Sequence, residues 1–175
     1  MAKAKSNRKY LPALNIENAT IFWKNFAGEE NENNAAGNRN FCVFLEPDVA
    51  QQLSADGWNV KSRVFTSDDE PEEKFYIQVK VSYRKYAPKI VLIKESGMEE
   101  IVESNVGTLD RLRATNIDLI ISPSFWERNG RSGVAAYLDT MYFKAVETDP
   151  FAAKYAQYRN HPGIEDNSGS TPFEI

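Results

Sequence analysis

Between residues 74 and 94 the chain carries no acid, yet it holds Lys74, Lys80, Arg84, Lys85, Lys89 and Lys94 among apolar and aromatic side chains. Acids crowd both flanks, with Asp68, Asp69, Glu70, Glu72 and Glu73 before and Glu95, Glu99 and Glu100 after. The formal net charge is −4, so this basic patch is local. Lysine and arginine neutralise phosphates and release their counterions, while aromatic rings stack on bases. Both in one segment suit a flexible polyanion with exposed bases. Period-two alternation predicts a strand over residues 75–83. Phe75, Ile77, Val79, Val81 and Tyr83 share one face; Tyr76, Gln78, Lys80, Ser82 and Arg84 share the other. A merely solvated strand face is the plain alternative.

Other aromatic and cationic residues adjoin in the same way: Trp23 with Lys24 and Phe26, Arg39 with Phe41, Tyr83 through Tyr86, and Phe125 and Trp126 with Arg128. About half of these rings must fill a core, because a barrel of this size needs large side chains inside. Alternation turns Phe41 and Tyr83 inward, and Trp58, just after a helix end, also reads as core. Trp126 and Tyr86, placed at turns beside charges, remain available to bases. Catalysis has little to work with. His161 is the single histidine, which excludes a multi-histidine metal site or a histidine triad within one chain. Cys42 lies in an apolar strand and reads as a small filler. Phosphate-loop and dinucleotide fingerprints are absent, and the acid run 68–73 lacks the spaced oxygen ligands of a calcium loop. No enzyme class, cofactor or metal is indicated.

These residues need a scaffold. Residues 1–15 read as a basic arm with Lys3, Lys5, Arg8 and Lys9. Strands are predicted over 19–26 and 39–45, separated by a long Asn-, Glu- and Gly-rich loop at 28–40. A helix begins at Pro47, with Asp48 suited to its positive end, and stops at Gly57. A short strand over 58–65 leads to an acidic linker at 67–73. After Ala87-Pro88, residues 89–93 are expected to fold back on the basic strand as a hairpin, with another turn at Gly97. Further strands are expected over 116–122 and 134–146, with a turn from 124 to 133. A helix at 149–158 and a polar tail from 164 close the chain. Many short strands with one clear helix indicate a small, mainly β barrel or sandwich.

The order of these pieces resembles the single-stranded-DNA-binding proteins of tailed bacteriophages, which are OB-fold accessory proteins of replication and recombination. The resemblance rests on NATIFWKNF, on GNRNFCVFL followed by a helix ending in DGWNVK, on YLDTMYFKAVE, and on the ending GIEDNSGSTPFEI. It implies a five-stranded Greek-key OB-type barrel over residues 16–147, between the 1–15 arm and a C-terminal helix and disordered acidic tail at 148–175. It also implies sequence-nonspecific binding of single-stranded DNA, coating and protecting the strand in phage replication, recombination or repair. A tail of this kind recruits replication enzymes, here through Glu165, Asp166 and Phe173, although few acids are present and Phe173 is not terminal.

Within that frame Lys80, Arg84, Lys85 and Lys89 are the expected phosphate contacts. Tyr76, Tyr86, Trp23 and Trp126 are the expected stacking rings, and Arg39, Arg111, Arg113, Arg128 and Arg131 are second-rank contacts. The partner is single-stranded DNA, without a membrane. Residues 1–9 lack the apolar run of a secretory signal, no stretch approaches the roughly 20 apolar residues of a spanning helix, and a lone cysteine fits a reducing cytoplasm, here that of an infected host. A homodimer is one candidate assembly. The competing readings are a non-catalytic virion or host-interaction β-domain and an RNA-binding OB domain.

Overall fold

The structure is a computed structural model that describes residues 10–156. It opens with β1 (Leu14–Ile16) and β2 (Ile21–Asn25), two pieces of one segment. β3 (Arg39–Leu45) turns Phe41, Val43 and Leu45 into the core. α1 (Pro47–Ala55) begins on a proline, whose missing N–H is not needed in a first turn, and buries Ala50 and Leu53. Gly57, at φ +95°, follows its end. Next come β4 (Val60–Ser67), β5 (Glu70–Val81), β6 (Lys89–Lys94), β7 (Gly97–Ile101) and a 3-10 helix (Val106–Arg111). β8 (Ala114–Arg128), β9 (Arg131–Ala145) and α2 (Ala152–Tyr155) complete the described chain.

The strands follow the path β1-β8-β9-β5-β3-β2. Its two ends are the halves of the N-terminal segment, so the path returns on itself. Across the break between them, the Ala19 N–H donates to the Ile117 carbonyl at 2.8 Å and the Phe44 N–H donates to the Thr20 carbonyl at 3.1 Å. β5 and β9 are parallel, with Val79 opposite Ala136 and Lys80 opposite Tyr137. The result is a mainly β, OB-type barrel in Greek-key order, to which β4, β6 and β7 are added.

Three expectations are corrected. Residues 89–93 do not pair back on β5. β6 runs parallel to β9, from Lys89 opposite Thr140 to Ile93 opposite Lys144, and forms its hairpin with β7. Ile90 and Leu92 are thereby buried, and the length of β9 beyond Tyr137 gains a partner. Residues 67–73 are not a linker, because Asp68 and Asp69 adopt positive φ (51° and 63°) and make a tight turn between β4 and β5. The acids that follow face solvent on a projecting arm, where they cost little. Residues 124–133 are likewise strand. Only Asn129 and Gly130, at φ 52° and 74°, turn the chain between β8 and β9.

Phe26, Phe41 and Phe143 are fully buried, and the rings of Phe26 and Phe41 stack with centroids 5.4 Å apart. Trp58 is buried, as expected of core. The 3-10 helix closes one end of the barrel with Val106 and Leu109. Two groups tie it to β2. The Asp110 carboxylate accepts the backbone N–H groups of Phe26 and Ala27 at 2.8 and 2.9 Å. The Lys24 ammonium donates to the carbonyls of Leu109 and Leu112 at 3.1 and 2.7 Å. Burial lowers the Lys24 pKa against the opposing charge of Asp110. Lys24 is therefore a structural cation, although Trp23 beside it faces outward. No helix among the described residues is long and apolar enough to cross a membrane.

Candidate nucleic-acid interface

Alternation sends every second residue of β2, β3, β4 and β5 to the outside of the barrel. The pairing places Phe44 opposite Tyr76 and Tyr76 opposite Lys61; Cys42 faces Gln78, and Asn40, Lys80 and Tyr137 form one row. Five rings gather at one end of this face. Phe22 stacks on Phe44 with centroids 4.2 Å apart. Phe65 meets Phe44 edge-on at 5.2 Å, and Tyr76 meets Phe22 at 5.3 Å and Trp23 at 5.7 Å.

Trp23 stands apart. The pairing of β2 with β3 shifts register between Phe22 and Asn25, and Trp23 adopts φ +48° at that irregularity. A bulge re-aims a side chain. Here it leaves the indole 52 % exposed beside the buried Tyr76 and the half-buried Phe22, Phe44 and Phe65. The Arg63 guanidinium lies 5.3 Å from its ring centroid, and the Lys74 ammonium lies 5.1 Å from that of Phe44.

From Trp23 and Arg63 a groove of about 1200 Å³ crosses Asn40, Cys42 and Gln78. It shares Asn33, Asn34, Asn40 and Gln78 with a second hollow of about 520 Å³, lined by Arg39, Lys80, Tyr83, Arg84, Glu103 and Tyr137. One wall is the long β2–β3 loop. The Asn34 side-chain amide donates to the carbonyls of Glu29, Ala35 and Asn38 at 2.9, 3.2 and 2.9 Å, so the loop is internally built. Glu29, Glu30 and Glu32 line the same wall, and the groove is consequently of mixed charge. Cys42 forms part of its floor, where burial pushes its thiol pKa up against the pull of Lys61. Among the described residues no three His, Cys, Asp or Glu side chains converge as a metal would require.

The groove brings together Trp23, Lys80, Arg84, Arg39 and Arg111 from the expected set. Tyr76 points outward as alternation requires, but it is only 9 % exposed, because the bulged β2 and the β4 arm close over it. The expectation of a free stacking ring there is corrected: Tyr76 supports Trp23 from below. Lys85 and the 82 % exposed Tyr86 lie in the β5–β6 connection, outside the groove lining. Lys89 sits over the Tyr142 ring at 5.8 Å. Arg113 faces a different hollow with Ile117 and Phe143. Trp126, Arg128 and Arg131 occupy the β8–β9 arm on the face that also carries Tyr137. Glu165, Asp166 and Phe173 lie outside the described residues.

Sequence reasoning missed Phe22, Phe44, Lys61, Arg63 and Phe65. The signal existed in the alternation of Lys61, Arg63 and Phe65 along β4, which mixes cations and a ring as β5 does.

The family described as "Putative phage ssDNA-binding domain" matches residues 3–167. No curated protein sequence matches. Among solved structures, the single-stranded DNA-binding protein from bacteriophage Enc34 in complex with ssDNA is similar at a TM-score of 0.51 and 13% identity, over 79% of this chain and 89% of that one. A second structure of the single-stranded DNA-binding protein from bacteriophage Enc34 is similar at 0.48 and 12%, over 79% and 83%. Gp2.5, a single-stranded DNA binding protein encoded by bacteriophage T7, is similar at 0.36 and 8%, over 91% and 99%. At such identities the first likeness speaks for the barrel alone; the family match, spanning nearly all of the sequence, is what shows that this chain belongs to the phage single-stranded-DNA-binding domain family.

Proposed function

We propose that the outer sheet face binds single-stranded DNA without sequence preference, and that the protein coats and protects the strand during phage replication, recombination or repair in the infected cell's cytoplasm. The observation that carries this reading is the exposed Trp23 indole, backed by four further rings at the head of a mixed-charge groove that holds Arg63 and Arg111. The half-exposed indole offers π-surface that any base can cover, and such stacking contributes about 1–3 kcal/mol per base. Arg63 and Lys74 stand beside the stacked base. Lys80 and Arg84 take phosphates further along, and Arg39 and Arg111 reinforce the groove. Trp126, Arg128 and Arg131 on the β8–β9 arm, with Lys85, Tyr86 and Lys89, extend the contact beyond it. The protein acts by binding, and no bond is made or broken. The tail, with Glu165, Asp166 and Phe173, serves replication partners.

Titration of oligo-dT against intrinsic tryptophan fluorescence at two salt concentrations tests the reading. Quenching with an affinity that falls steeply with salt is expected, because bound phosphates release counterions. An oligo-U competitor in the same titration should displace dT poorly. Absence of quenching and of binding at low salt would sink the proposal and return the chain to a virion or host-interaction role; preferential binding of oligo-U would assign it to RNA.

A further inference from the structure

The far end of the groove holds two polar atoms that the fold buries and leaves without a hydrogen-bond partner among the described residues: the Arg39 Nε and the Tyr83 hydroxyl oxygen. They belong to neighbours, since the Arg39 guanidinium carbon lies 5.8 Å from the Tyr83 ring centroid. Arg39 starts β3 opposite Val81, and Tyr83 follows the end of β5, so two adjacent strands fix the pair. No ion pair engages Arg39 among the described residues. Lys80 and Arg84 line the same hollow, against Glu103 as its single carboxylate.

Burial of this kind costs free energy unless a partner arrives. A cation left unneutralised beside a buried hydroxyl, in a hollow with two more cations on its rim, calls for an anionic oxygen acceptor. Burial also raises the Tyr83 pKa against the charge of Arg39, with Glu103 adding to the rise, so the hydroxyl keeps its proton for donation.

We propose that this hollow is a fixed phosphate subsite of the single-strand groove, with Arg39 as its anchor, the Tyr83 hydroxyl as a second donor, and Lys80 and Arg84 at its rim. The assignment rests on the single-stranded-DNA reading above and deepens it. The guanidinium lies over the Tyr83 ring. A phosphodiester that enters the hollow draws both donors toward it, and its non-bridging oxygens accept from both. The groove then holds one backbone phosphate in register with the Trp23 platform.

Tyr83→Phe separates this role from a structural one, because the two move stability and affinity differently. Removing an unsatisfied buried hydroxyl leaves thermal stability unchanged or raised, whereas losing a phosphate donor weakens oligo-dT binding by about five-fold at every salt concentration without changing the salt slope. Arg39→Gln weakens binding more and lowers the salt slope by about one. A lower melting temperature for Tyr83→Phe would overturn the proposal, since the hydroxyl would then have a structural partner. Wild-type affinity in both variants would overturn it too, while leaving the DNA reading intact if the unaltered protein binds oligo-dT with steep salt dependence. An unaltered protein that fails to bind oligo-dT overturns both.

Discussion

Trp126 lies so close over Gly133 that a Cβ built on the glycine would come within 2.8 Å of the indole. The two residues face each other across the β8–β9 arm, and the glycine is what lets the ring settle on the backbone. One side of the indole is thereby covered while the ring as a whole remains 43 % exposed. Gly133→Ala should lift the ring, shift the Trp126 emission and reduce the quenching that oligo-dT produces. It should cost no more than about 1–3 kcal/mol of stability, as overpacking does, because the arm projects from the barrel. Unchanged emission and quenching in that variant would mean that the ring does not rest on the glycine in solution.

Trp23 carries a positive φ that a tryptophan adopts only under constraint. Trp23→Gly removes the ring and relieves the backbone together. The two effects oppose each other in stability, so the melting temperature should change little, whereas oligo-dT affinity should fall by about 1–3 kcal/mol, from several-fold to about a hundred-fold. A large loss of cooperative unfolding would instead identify Trp23 as a support for Phe22, Phe44, Phe65 and Tyr76. Chemical denaturation followed by far-UV circular dichroism, beside the oligo-dT titration, separates the two.

Salt dependence should map onto position. Arg63→Gln and Lys80→Gln should each lower the slope of log affinity against log salt by about one, because each removes a groove cation. Arg113→Gln should leave the slope unchanged, since Arg113 faces the separate hollow beside Ile117 and Phe143. Equal effects from all three variants would show a diffuse electrostatic attraction rather than a groove.

Tyr83 also makes a prediction in alkaline solution. Burial holds its pKa above a tyrosine's ordinary value of about 10. Below that value the hydroxyl is protonated in both folded and unfolded chains, and its titration costs the fold nothing. As pH rises above about 10 the unfolded chain releases this proton first, so the folded state loses stability until the folded pKa is passed. The unfolding midpoint of the native protein should therefore drop faster above pH 10 than that of Tyr83→Phe. Parallel curves for the two would show that the hydroxyl titrates normally.

Much of the barrel was legible because its inner faces alternate plainly. Phe41, Val43 and Leu45 on β3, and Ile77, Val79 and Val81 on β5, read as core and are core. Lys80 reads outward by the same alternation and lines the second hollow, whereas Arg84 lines it from beyond the end of β5. The errors arose where a short-range signal had two meanings. Asn129-Gly130 is a strong hairpin signal, but the polar residues around it suggested a wide turn. The Asp68-Asp69 turn was masked by acids that read as a linker. The five-ring platform was not legible, because it depends on which strands lie side by side and on a bulge at Trp23, and neither is written in local periodicity.

Closure of the barrel through the N-terminal segment has a kinetic consequence. The Asn18 N–H bonds to the Asp118 carboxylate 100 residues away, and β1 pairs with β8. Strands β2 to β5 can pair as soon as they leave the ribosome, forming an open sheet that displays the Trp23 face before anything seals it. The seam must wait for β8 and then pay the entropy of closing a very long loop. During synthesis an unsealed edge at β1 and β2 is therefore exposed to neighbouring chains, and sealing it is the slow, late event that converts a sticky half-sheet into a finished clamp.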